Sequence, residues 1–194
     1  MEVKAAFEEA CAVLKGDRRR TYELFDGLFQ LDQKALFMNP EKNLSEDEVL
    51  CLRLAVEKMA RGMPMAYALK QAYFYGEAFY VDERVLIPRY DTERSVESIL
   101  RLAPRAMRIL EIGTGSGCVA ITLGRLYPRA IINASDISPD ALNVAEINRK
   151  KHGASNVYLI QSDLFSSVEG TYDVIYSNPP YIRADEMREL DESV

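Results

Sequence analysis

The sequence predicts an α/β protein, a parallel, doubly wound sheet preceded by a small helical domain. Three observations carry this expectation. From Pro104 onward, short apolar runs alternate with segments of helical periodicity, the pattern of strands joined by crossover helices. The run Arg108-Ile-Leu-Glu-Ile112 ends in alternating glycines at 113, 115 and 117, as a buried strand does when it turns abruptly into a helix. Residues 2–60, by contrast, show only helical spacing. At 194 residues and 48% hydrophobic composition, the chain can bury one good core, or one domain plus a small appendage.

In chain order, Val3, Phe7, Ala10, Cys11 and Leu14 mark a first helix, and Tyr22, Phe25, Leu28 and Phe29 a second. Pro40 falls in a loop. Ser45-Glu46-Asp47-Glu48 has the form of a capping box, opening a helix with Val49, Leu52, Val56 and Met59 on one face and a stop near Gly62 and Pro64. The aromatic stretch Tyr73–Val81, broken by Gly76, predicts a short hairpin. In Val85–Glu93, Pro88 biases Ile87 to an extended backbone, and Asp91 or Thr92 is placed to cap the next helix, which carries Val96, Ile99 and Leu100. This segment is apolar enough to wall a ligand pocket. Strands are expected at 107–112, 130–135, 156–160 and 173–177, and helices at about 116–126 and at 139–151, the latter opened by Ser138-Pro139-Asp140. The domain boundaries are therefore 1–70 for a helical bundle, 71–92 for a hairpin and linker, and 93–194 for the α/β domain.

Bulk properties narrow the function. A net charge of −6 argues against a broad electrostatic grip on nucleic acid, and Arg18-Arg19-Arg20 reads as a solvated helix face. Cys11, Cys51 and Cys118 form no C-x-x-C pair and read as small apolar fillers in a reducing compartment. The single histidine, His152, has no evident ligand partners, so no metal site is expected. No stretch is long or apolar enough to cross a membrane, and the acidic N-terminus resembles neither a signal nor a transit peptide. The expected location is the cytoplasm.

The chemistry lies at strand ends. The glycine loop lacks a glycine at 118, where Cys118 stands, so it is not a dinucleotide fingerprint. It also lacks the lysine of a phosphate loop. What remains, E-x-G-x-G-x-G from Glu111 through Gly113, Thr114, Gly115 and Ser116 to Gly117, is similar to motif I of class I methyltransferases that use S-adenosylmethionine. Asp136, with Ile137 after it, closes the second strand, where an acid can accept both ribose hydroxyls of an adenosyl cofactor. Asp163 either meets an adenine amino group, with Leu164 packed on the ring, or simply begins a turn. Glu111 either orients the glycine loop or meets the methionine ammonium through water. Asn178-Pro179-Pro180-Tyr181 is the most specific motif. Proline nitrogens cannot donate, so an Asn side-chain oxygen and a proline carbonyl together can accept both hydrogens of a planar NH2 group, with Tyr181 against its face.

Motif I and the Asn-Pro-Pro-Tyr turn together resemble the amino methyltransferases of adenine N6 or of glutamine amides. Arg61-Gly62-Met63-Pro64, Phe74-Tyr75-Gly76, Phe79, Val85–Glu93, Asp136–Ala141 and Ser177–Ile182 are similar to the linker and strand-end signatures of the release-factor glutamine N5-methyltransferases. That resemblance covers essentially the whole chain. It implies a class I methyltransferase sheet of Rossmann-like form with a small N-terminal helical domain. It also implies S-adenosylmethionine as cofactor and the Gly-Gly-Gln glutamine of peptide-chain release factors as substrate. By the same resemblance Gly113 to Gly117, Asp136 and Leu164 contact the cofactor, and Asn178 to Tyr181 hold the substrate amide. The helical domain is then either a packing module or a platform for the protein substrate.

The chain departs from the family in carrying Tyr90-Asp91 where Pro-Glu is usual, and Leu164 where a larger aromatic is common. It also ends thirteen residues after Tyr181, so the family's sheet is expected to be incomplete, with about four strands present. An uncovered apolar strand at 173–177 would invite self-association. The alternative functions are an adenine-N6 nucleic-acid methyltransferase and an inactive cofactor-binding fragment.

Overall fold

In the computed structural model the structure describes residues 1–179, which divide into two compact units, residues 1–69 and residues from 70 onward. The first is helical: α1 (Val3–Val13), α2 (Arg18–Phe29), α3 (Gln33–Met38), α4 (Glu46–Ala60) and α5 (Met65–Ala68). Its core joins Val3, Phe7 and Cys11 of α1 to Leu24 and Phe25 of α2 and to Leu52, Val56 and Met59 of α4. The capping box is present in full, with Ser45 and Glu48 each satisfying the other's backbone N–H. Two short helices were not expected from the sequence. Asp32 starts α3 by accepting from the Ala35 amide, and α5 is a single turn beginning directly after Pro64. Both are too short for hydrophobic periodicity to register. The arginine triplet lies at the start of α2, with Arg18 paired to Glu8 and Arg19 to Glu23. Cys11 and Cys118 are buried as expected, but Cys51 is exposed, because it falls on the solvent side of α4.

The second unit begins with the hairpin β1 (Ala72–Phe74) and β2 (Glu77–Phe79), followed by α6 (Tyr90–Leu102). Then come β3 (Arg108–Ile112), α7 (Cys118–Leu126), β4 (Ile131–Asp136), α8 (Pro139–Lys151), β5 (Val157–Gln161) and β6 (Val174–Ser177). The expected cap of α6 is corrected. Arg89 occupies the N-cap position and no side chain caps the helix, since Asp91 and Thr92 already lie inside its first turn.

β3 to β6 form a parallel sheet in the order β5-β4-β3-β6. The chain therefore winds outward from β3 to β5, then returns to the other side of β3. β3 is central, and its residues Ile109 to Ile112 are all buried, which is why its sequence reads as apolar but for Glu111. β5 and β6 are the outer strands among the described residues, and Tyr158 and Ile175 on them are exposed. The register of β6 is pinned at its start. The Asp173 carboxylate accepts from the Met107 and Arg108 amides, at 2.8 and 3.0 Å, and these two bonds hold it below the usual range. Ser177 then falls opposite Ile112.

His152 stacks on Phe79, with ring centroids 4.4 Å apart, and its Nε2 meets the Ala78 carbonyl at 3.2 Å. Its role is to hold the hairpin against the end of α8. No helix among the described residues is long and apolar enough to cross a membrane.

Candidate active site

The strand order reverses between β3 and β6, and it is in the crevice at the carboxyl edge beside such a switch point that open α/β sheets bind ligands. Ile112 pairs with Ser177, so the next residues, Gly113 and Asn178, leave the sheet side by side. The Ser177 hydroxyl donates to the Ile112 carbonyl at 3.0 Å and holds the two ends together. Asp136 ends β4 on the other side of β3. Asn178 and Pro179 are exposed at this edge. Pro180 and Tyr181 lie outside the described residues.

The glycine loop is fastened from three directions. The Gly113 and Thr114 amides donate to the Ser135 carbonyl, at 2.8 and 2.9 Å. The Gly115 amide donates to the Asp136 carboxylate at 2.9 Å, and the other carboxylate oxygen accepts from the Ser138 amide at 3.0 Å. Gly115 has φ +53°, and nothing stands within 4 Å of the place a Cβ would occupy. A side chain there would be strained and would fill the crevice. Gly117, at φ +78°, is the N-cap of α7 and lies tight against α8, where a Cβ would come within 3.1 Å of Ala145. Thr114 and Ser116 are buried, Gly115 is half-buried and Gly113 is exposed. Ile137 and Leu164 are exposed, at 64% and 62%. Leu164 has φ +48°, and Asp163 is exposed beside it, its amide bound to the Ser166 hydroxyl.

Glu111 resolves an oddity of the sequence, an acid inside a central strand. Gly117 offers α7 no side-chain cap. Glu111 substitutes for one, accepting from the Ala120 amide at 2.9 Å and from the Thr114 hydroxyl at 2.7 Å. It thereby ties the loop and the first turn of α7 to β3. Burial pushes its carboxyl up to about 8, outweighing those two bonds, and the nearby Asp136 charge adds to the rise. Burial likewise pushes the neighbouring Cys118 thiol up to about 12.

The linkage sign for Glu111 follows from a folded value of about 8 against 4.5 for the free acid. Between the two, the folded state holds the extra proton. This contribution to stability is full below the lower value and is lost as pH rises through the upper one. Glu111→Gln locks in a neutral side chain that can still accept, so the variant should gain on the parent steadily across that window. Urea denaturation at stepped pH measures this, and parallel curves would refute it.

One residue that tethers the loop was missed by sequence reasoning. Asn148 on α8 is fully buried. Its Nδ2 donates to the Ser116 and Tyr80 carbonyls, at 2.8 and 2.9 Å, and its Oδ1 accepts from the Tyr80 amide at 2.6 Å. One side chain thus ties the glycine loop to the chain leaving the hairpin. A signal existed, since Asn148 continues the buried face of Ala141, Val144 and Ala145, where a polar residue that disfavours helix interiors stands out. Asn148→Ala leaves these backbone groups without partners. It should cost about 2–3 kcal/mol in denaturant unfolding, and a loss below about 0.5 kcal/mol would show the tether to be incidental.

Two family descriptions match the sequence, "PrmC N-terminal domain" over residues 3–69 and "Methyltransferase small domain" over residues 96–191. A release factor glutamine methyltransferase from Koribacter versatilis is 40% identical over 192 residues, covering 94% of this chain and 68% of the relative. The chain belongs to the release factor glutamine methyltransferase family. The relative of the same name from Lactococcus lactis subsp. lactis is 36% identical over 96% of this chain and 70% of its own length. That from Chlorobaculum tepidum is 40% identical over 84% and 60%. The chain thus spans 60% to 70% of the length of these relatives. Among solved structures, ribosomal protein L11 methylase from Lactobacillus delbrueckii subsp. bulgaricus matches at 30% identity over 45% of each chain, with a TM-score of 0.42.

Proposed function

We propose that this chain holds the S-adenosylmethionine site and the amide-holding Asn-Pro-Pro-Tyr motif of a glutamine N5-methyltransferase acting on the Gly-Gly-Gln loop of peptide-chain release factors. The observation that carries this reading is the pairing of Ile112 with Ser177, which brings the glycine loop and Asn178 to one crevice. The residues present fit the cofactor. The loop leaves open space where a Cβ at Gly113 or Gly115 would stand, and the Asp136 carboxylate, already oriented by two backbone amides, keeps lone pairs for a ribose diol. Ile137 and Leu164 offer apolar surface to an adenine ring, and Asp163 an acceptor for its amino group.

Bound S-adenosylmethionine supplies an electrophilic methyl group on a sulfonium. The chain's own task is orientation. Asn178 Oδ1 and a carbonyl of the adjoining prolines accept the two hydrogens of the glutamine NH2. This fixes the amide plane, aims its nitrogen at the methyl position and converts an encounter into an aligned attack. Tyr181 is assigned to the face of the amide, where an aromatic ring tolerates positive charge developing on nitrogen.

The test is methyl transfer from labelled S-adenosylmethionine to a purified release factor, mapped by mass spectrometry and paired with calorimetric titration of the cofactor. Label on the Gly-Gly-Gln glutamine supports the reading. Cofactor binding with no label on that glutamine would sink the substrate assignment, and no binding would sink the cofactor assignment as well.

A further inference from the structure

Thr92 stands at the third position of α6, where it could have served as a cap but does not. Its hydroxyl is engaged elsewhere: Asn178 Nδ2 donates to Thr92 Oγ1 at 3.4 Å, across 86 residues of sequence. Both partners are held from behind. The Thr92 amide donates to the Arg89 carbonyl at 3.0 Å. The adjacent Glu93 accepts from the Tyr75 amide at 2.7 Å, tying the first turn of α6 to the hairpin turn. On the other side, Asn178 follows directly on Ser177, which is fastened to β3 by strand pairing and by its own hydroxyl.

We propose that Thr92 is a positioning residue for Asn178, its hydroxyl oxygen taking the Nδ2 end of the amide so that Oδ1 faces the crevice. This rests on the reading of Asn178 as the group that holds the substrate glutamine. The two ends of an asparagine amide are nearly identical in shape and opposite in polarity. With Oδ1 outward, Asn178 accepts from a glutamine NH2. Flipped, it presents two N–H groups to two N–H groups, and the substrate amide is repelled at the point where it must be aligned. Thr92 Oγ1, accepting from Nδ2, favours the orientation in which Oδ1 faces outward. At 3.4 Å the contact is longer than the usual limit of about 3.2 Å for such a bond. It should tighten when an amide docks on Oδ1, because hydrogen bonds in series polarise one another and catalytic contacts often close only in the complex.

The experiment uses the full chain with Thr92→Val, which keeps the shape and removes the hydroxyl, and Thr92→Ser, which keeps the hydroxyl. Methyl transfer to a Gly-Gly-Gln peptide is measured alongside NMR of protein carrying isotope-labelled asparagine, in which the Asn178 NH2 pair is assigned by its loss in Asn178→Ala. Thr92→Val should lower kcat about tenfold, with KM and cofactor Kd changed by no more than a few-fold. It should also shift the Asn178 NH2 resonances, and Thr92→Ser should restore both. In an Asn178→Ala background Thr92→Val should add nothing, because its route of action is gone.

Unmoved NH2 resonances in Thr92→Val would overturn the proposal, and this arm needs no turnover. So would wild-type kcat in Thr92→Val while Asn178→Ala is inactive, a result that leaves the glutamine-holding role of Asn178 standing. Full activity in Asn178→Ala would instead remove that role, and with it the consequence drawn for Thr92.

Discussion

Asn178→Ala is expected to lower kcat for methyl transfer by a hundredfold or more, while cofactor affinity changes by only a few-fold. The asymmetry follows from the position of the residue. Asn178 is exposed at the end of β6, on the opposite flank of β3 from Asp136 at the end of β4. The amides that fasten the glycine loop run to Ser135 and Asp136 and owe nothing to it. Removing the side chain therefore spares the loop and deletes the group proposed to accept from the substrate amide. Single-turnover kinetics with cofactor titration on the same preparation separate the two effects. A variant that loses cofactor affinity and rate in parallel would mean that Asn178 serves mainly the cofactor.

Gly117→Val should abolish cofactor binding and remove about 2–4 kcal/mol of stability. Two costs meet at this position. The backbone sits at φ +78°, which an L side chain adopts only with strain, and an added Cβ would lie 3.1 Å from Ala145 Cβ, 3.2 Å from Ile121 Cδ1 and 3.3 Å from Ala145 Cα. One of those neighbours is backbone, so α7 and α8 must separate, and the loop between β3 and α7 moves with them. Gly153→Ala is the matched control. Gly153 has φ +62° with nothing within 4 Å, so it should incur the backbone strain alone, about 1–2 kcal/mol, with cofactor binding intact. Equal losses in the two variants would show that the crowding between α7 and α8 is not what matters.

Much of this architecture could be read from the sequence, and the reasons are local. The helix opened by Ser45, the hairpin around Gly76 and the helix opened by Ser138-Pro139 each depend on capping and turn chemistry contained within a few residues. The four strands of the sheet were legible as short apolar segments bounded by turn residues, although only β3 is buried continuously from Ile109 to Ile112 and β5 and β6 carry the exposed Tyr158 and Ile175. α3 and α5 were not, because helices of 6 and 4 residues are too short to show a period. The cap of α6 failed on position. Asp91 and Thr92 have the right chemistry for a cap, but Arg89, preceded by Pro88, is the residue at which the extended chain turns into the helix.

By itself, then, the sequence determined where the longer helices, the hairpin and the four strands form, where the glycine loop and the Asn-Pro-Pro-Tyr motif fall, and through them the family. Only the tertiary structure decided what those elements do to one another. It set β6 beside β3, which brings Asn178 to the glycine loop. It also made Glu111 the cap that Gly117 cannot be, sent Asn148 into the core as a tether, and brought Thr92 against Asn178 across 86 residues. The physical reason is one of range. Periodicity, caps and turns are written in neighbouring residues, whereas a hydrogen bond between distant side chains depends on strand order and register, and neither leaves a mark on either residue's own surroundings in the sequence.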